Sequence, residues 1–261
     1  MNLYFRNPGF DTMITSILHF QREEETAFWS DSLYRFYPQL DKVYAAQLSF
    51  DERKRYITEV LKAVYGEAES EIDRKVQVYE AHWNRHRAQI QQALSEAFEM
   101  DLAPLFYEMR CDVSMNPVSP RFLDEERFEV FYLNSERGAI GTAIHEIIHF
   151  VWFYVWNQVF SDSYEEYECP SLKWILSEMV VESIMADERL ASLNPYFPRE
   201  QGGCIYPYFF DMRAGGELVT DVIGRLYKSC DIRTFMRKGY AFCQEHEQEI
   251  RAHIERSEQN W

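Results

Sequence analysis

The chain has no Cys-x-x-Cys pair, and its five cysteines (Cys111, Cys169, Cys204, Cys230 and Cys243) are odd in number and widely spaced. That speaks against both a cysteine zinc site and a disulfide scaffold, and predicts buried free thiols. Basic residues are scarce: 27 Lys and Arg stand against 43 Asp and Glu, a formal net charge of −16. A field of that sign argues against nucleic acid and anionic membrane as partners, and would favour neutral or basic peptides. No 18-residue apolar stretch is free of charge; residues 139–159 come nearest, but His145, Glu146 and His149 interrupt them. Residues 1–10 have neither a basic start nor a long apolar run, so no signal peptide is expected and the cytoplasm is the default location. Internal repeats and low-complexity tracts are also missing.

What is present suffices for a sizeable core. The 261 residues are 46% hydrophobic and 16% aromatic, which makes the chain globular, as one large domain or two. It is organised around residues 141–153, which contain His-Glu-Ile-Ile-His at 145–149. On a helix that spacing stacks both imidazoles on one face, one turn apart, where two nitrogens can grip one divalent ion. Glu146 lies about 100° round the helix from His145, close enough for its carboxylate to reach water at such an ion as general base. From Ala139 to Trp156 the segment is apolar on nearly every face, so the helix is expected to be buried all round. Two imidazoles and a carboxylate are costly there unless paired or metal-bound.

A catalytic zinc takes three protein ligands and leaves a position for water. The stretch from Ser171 to Met185 supplies a third candidate, because Trp174, Ile175, Val181 and Met185 fall on the same side of a helix as Glu178. Glu182, one turn on, shares that stripe. Two carboxylates on a core-facing stripe are resolved if Glu178 binds the metal and Glu182 accepts the free N–H of His145 or His149. The reverse assignment, with Glu182 as ligand, stays open.

His-Glu-Ile-Ile-His followed on a later helix by Glu178-x-x-x-Glu182 resembles the gluzincin branch of the zincin metallopeptidases, the group that includes thermolysin. The likeness spans about residues 110–190. It implies Zn²⁺, peptide-bond hydrolysis, and a motif helix packed beneath a small sheet whose edge strand aligns substrate. Several gluzincins have Asp where Glu182 stands. Metzincins fit less well, since 150–155 supply neither their Gly nor a third His; in a di-iron bundle Glu146 and His149 would need a second Glu-x-x-His pair, which the sequence lacks.

The rest of the chain reads as a mainly helical α+β protein, with an N-terminal helical region over 1–104 and a zincin-like catalytic region over 105–261. Asp11 is expected to cap a helix running toward Phe28, with short helices near 30–37 and 41–46. Ser49-Phe-Asp-Glu52 is a capping box ahead of a helix over about 50–65, and after Gly66 a second, long amphipathic helix covers 67–99. His82 and His86 on it sit among arginines and read as a solvated face. Strands are expected at 109–115 and 128–133, with a loop at 116–120 between them and the turn at 135–138 leading into the motif helix. The strand at 128–133 is the candidate edge for an extended peptide.

Residues 157–170 read as a solvated acidic loop, and 191–216 as a loop from which Tyr206 or Tyr208 could donate to the oxyanion of a scissile carbonyl. Helices resume at 217–229 and 232–256, with His246 exposed among glutamates. The expected function is a zinc peptidase acting on a peptide or protein, with His145, His149 and Glu178 on the metal and Glu146 as base. The alternatives are a zinc hydrolase of a small amide, or an inactive metal-binding or interaction protein on a peptidase-like fold.

Overall fold

The computed structural model describes residues 1–23, 25–162, 171–193 and 206–259. The chain is a mainly helical α+β protein with a small mixed sheet. It runs β1 (Leu3–Arg6), α1 (Phe10–His19), α2 (Ala27–Phe36), α3 (Lys42–Ala45), α4 (Phe50–Ala97), β2 (Met109–Ser114), β3 (Arg121–Phe122) and β4 (Arg127–Phe131). Then follow α5 (Glu136–Phe160), α6 (Leu172–Met185), α7 (Glu188–Ala191), the hairpin β5 (Arg213–Ala214) and β6 (Glu217–Leu218), α8 (Val219–Ser229), α9 (Ile232–Glu245) and α10 (Glu247–Glu258).

The four-stranded sheet has the order β1-β2-β4-β3, with β3 antiparallel to β4 and the other pairs parallel. Alternation sorts its faces. Cys111 and Val113 stand beside Phe128 and Val130, and Phe128 packs its ring 6.3 Å from that of Phe150 on α5. On the opposite face Phe131 meets Phe36 and Tyr37 at the end of α2. The expected edge strand at 128–133 is therefore interior: β4 pairs with β2 on one side and β3 on the other. The edge on that side is β3, a two-residue strand inside what reads from sequence as a connection, and β1 is the other edge.

The 48-residue α4 begins at the capping box, where Ser49 and Glu52 satisfy each other's backbone N–H groups. It runs straight through Gly66, correcting the expected break. A Cβ there would meet nothing within 4 Å, so the glycine costs about 1 kcal/mol of helix propensity and nothing in packing. Ile57, Leu61, Ile72, Tyr79, Trp83, Ile90 and Leu94 form one fully buried stripe at helical spacing. That stripe places α4 behind β1, β2 and α5. Since β1 comes from the N-terminal region and β2–β4 from the other, the two regions share one sheet and one hydrophobic core.

Other expectations shift in detail. The first helix ends at His19 rather than approaching Phe28, and Gly9, with φ 81°, precedes it in place of an Asp11 cap. His82 and His86 are half-buried, and His82 Nδ1 pairs with Glu136 at the start of α5. The expected helix over 232–256 breaks at His246, which is half-buried and pairs with Glu249 at 2.9 Å. Cys111 and Cys243 are buried and Cys230 is half-buried, all as free thiols. Cys169, Cys204, the loop glutamates at 165, 166 and 168, and the turn residues 195–203 lie outside the described residues.

Candidate metal centre

The motif helix α5 starts at Ser135, whose hydroxyl accepts from the Gly138 N–H at 3.0 Å. The long helix α4 pins that start. Tyr79 donates its hydroxyl to the Tyr132 and Asn134 carbonyls, and Lys75 donates to Asn134. From there α5 passes through the core as expected: Ile144, Ile147, Ile148, Phe150, Val151 and Trp152 are all at most 1% exposed. Among the described residues it is the one helix long and apolar enough to cross a membrane, but 72% of its apolar window is buried inside the protein. Gly141, Thr142, His145 and Glu146 line a cleft of about 1970 Å³.

His145 and His149 stack as the four-residue spacing requires, with Nε2 atoms 3.0 Å apart. The helix α6, capped by Ser171, packs against α5 and delivers Glu178, whose carboxylate straddles the pair. Its Oε2 lies 3.4 Å from His145 Nε2 and its Oε1 3.4 Å from His149 Nε2. Three donors held about 2.0–2.1 Å from one tetrahedral ion stand about 3.3–3.4 Å from each other. The imidazole nitrogens, 3.0 Å apart, each stand 3.4 Å from a different oxygen of Glu178, so the carboxylate brackets the pair at about that spacing. One ligand atom from each of His145, His149 and Glu178 falls within 4.8 Å of the others, a group that can hold a metal ion.

Burial of the donors supports the same use. His149 is fully buried, and its Nε2 is the nitrogen that faces His145 and Glu178. Burial and the nearby Arg121 push its pKa down to about 3, against the pull of Glu178, so it stays neutral with a lone pair to offer. Burial would lower His145 too, but Glu178 and Glu146 outweigh it and hold its pKa above the ordinary value. Burial also opposes ionisation of Glu178, yet the histidines and Arg121 hold its pKa well below the carboxylate range. Glu146 goes the other way: burial raises it, and His145 and Arg121 offset that only in part. The two carboxylates are thus held in opposite electrostatic states.

No family model, curated protein or solved structure matches the chain. The site's meaning therefore rests on its own geometry.

The other sequence-derived residues separate. Glu182 is buried on α6 one turn beyond Glu178. Tyr206 lines the cleft amid Phe28, Trp29 and Trp174. Tyr208 is buried and donates its hydroxyl to Glu258 at 3.0 Å. Sequence reasoning missed Arg121. It reaches from the edge strand β3 and sets Nη1 3.3 Å from Glu178 Oε1 and 3.5 Å from Glu146 Oε2, with its side chain 9% exposed. No spacing pattern could have marked it, because its partners lie 25 and 57 residues away.

Proposed function

We propose that the chain is a zinc-dependent peptidase of gluzincin-like construction. The observation that carries this is the convergence of His145, His149 and Glu178 on one point, with Glu146 beside them, where a large cleft meets a buried helix. The gluzincin resemblance implies an edge strand that aligns substrate, and on this reading β3 takes that place in the stead of 128–133.

Two nitrogens and a carboxylate suit zinc. A divalent ion held by them supplies Lewis acidity and brings the pKa of water toward neutrality. Glu146 takes the proton of the attacking water and passes it to the departing amine. Arg121, lining the cleft within reach of both carboxylates, is a fixed cation for the negative charge that develops on the carbonyl oxygen. The cleft's volume of about 1970 Å³ favours a peptide over a small amide.

The same Arg121 favours one competing proposal, an inactive metal-binding protein, because it engages the proposed base directly. One experiment separates the two. Protein purified without added metal is assayed for zinc and for peptide hydrolysis, alongside Glu146→Gln. The peptidase proposal expects stoichiometric zinc in both proteins and a loss of turnover in the variant of at least about 10²–10⁴-fold. Zinc without hydrolysis in the wild type would leave the inactive metal protein, and equal turnover by the variant would rule out Glu146 as base.

A further inference from the structure

The cleft does not share the chain's charge. Seven Lys or Arg and six Asp or Glu line it, against 27 and 43 in the whole chain. Two of those six acids are Glu146 and Glu178, which the proposed chemistry already engages. The excess of cations gathers in one lobe, where α1, α2 and the start of α4 line the cleft. There Arg22, Arg35 and Lys54 make no ion pair with any described residue, although Lys54 lies over the Phe50 ring. Arg22 and Arg35 are exposed. The acids of that lobe are Asp11 and Glu25, the second 3.9 Å from His19 Nε2.

In a chain with this surplus of carboxylates, cations left without carboxylate partners on a groove wall are a departure from the surrounding surface. Salt decides which charges a bound peptide feels. The Debye length is about 8 Å at physiological ionic strength, so the remote negative surface is screened while cations lining the groove act on whatever lies in it. Low-dielectric walls strengthen that local field. The overall acidity of the chain, which taken alone would favour neutral or basic peptides, is thus a poor guide to the groove.

Building on the peptidase proposal, we propose that the preferred substrate is an extended peptide carrying Asp or Glu residues where it passes the α1–α2 lobe. Binding and cleavage test this separately. Zinc-loaded Glu146→Gln protein is titrated with two fluorescein-labelled decapeptides that differ only in carrying two Glu or two Lys, at low and at physiological salt. The acidic peptide should bind at least about tenfold more tightly at low salt, and the gap should narrow as salt rises. Adding Arg22→Glu and Arg35→Glu should bring the ratio below about threefold. Equal binding, tighter binding of the lysine peptide, no binding of either, or a ratio untouched by the two charge reversals would each overturn the proposal. Hydrolysis of the same peptides by the wild type reads the peptidase proposal alone: tight acidic binding without cleavage would sink the enzyme and keep the specificity.

Discussion

On the sheet, Asp112 accepts from Arg6 Nε at 2.6 Å and from Arg127 Nη1 at 3.3 Å, while Glu125 holds Arg127 Nε at 2.9 Å. Where α5 meets α6, two imidazole nitrogens and a carboxylate face one another at 3.0–3.4 Å. Both clusters bury charge in the same core. In the first, guanidinium hydrogens point into carboxylates and most of the polar capacity is met, so the cluster is a structural clasp between β1, β2 and β4. In the second, two imidazole nitrogens and a carboxylate crowd one space, an arrangement that can hold a metal ion. Total buried charge does not separate a clasp from a site; the direction in which donors and acceptors point does.

Substituting one carboxylate in each cluster should break this symmetry in opposite ways. Glu178→Gln removes a donor from the metal set, and its effect on zinc affinity should exceed the 10–100-fold that loss of an outer-sphere partner costs. Competition with a chelating dye reads this directly; zinc retained at wild-type affinity would remove Glu178 from the ligand set. Asp112→Asn should leave zinc binding intact and instead cost about 3 kcal/mol of stability, measured by urea unfolding. The figure belongs at the low end of the range for broken buried pairs because Arg127 keeps Glu125 and Arg6 is nearly half-exposed. Zinc loss in that variant would mean that the clasp and the site are one unit.

How much of this was legible in sequence follows from how local each feature is. His145, Glu146 and His149 lie within two turns of one helix, and a buried helix fixes which faces they share. Glu178 was found because its own apolar neighbours mark the core side of α6. The Ser49 capping box is likewise complete within four residues. Gly66 misled because its local cost is overridden by a tertiary stripe of buried residues that runs past it on another face. Strand order eluded the sequence because pairing energies depend on segments far apart: nothing in 128–133 says that a two-residue strand will cover its flank. Arg121, and the contact of His82 with Glu136 across 54 residues, are products of that same long-range assembly.

The clasp also contains one weak member, which sharpens the contrast. Glu129 stands beside Asp112 across the β2–β4 ladder, is 1% exposed, and has a 3.4 Å contact from Arg127 on Oε1 and the hydroxyls of Ser114 and Ser16 as partners, while Oε2 makes no hydrogen bond. Burial therefore dominates the help from its neighbours and lifts its pKa from an ordinary 4.5 to about 7. The folded protein holds this proton more tightly than the unfolded chain, so the group favours folding fully below pH 4.5, and that contribution is lost as pH rises through 7. Glu129→Gln keeps the shape and cannot ionise. Its stability relative to wild type should grow between pH 5 and pH 8, toward about 3 kcal/mol at most, as read by urea unfolding at both pH values. If wild type and variant show the same pH slope, Glu129 is not the group that titrates, and the clasp is closed more completely than its hydrogen bonds indicate.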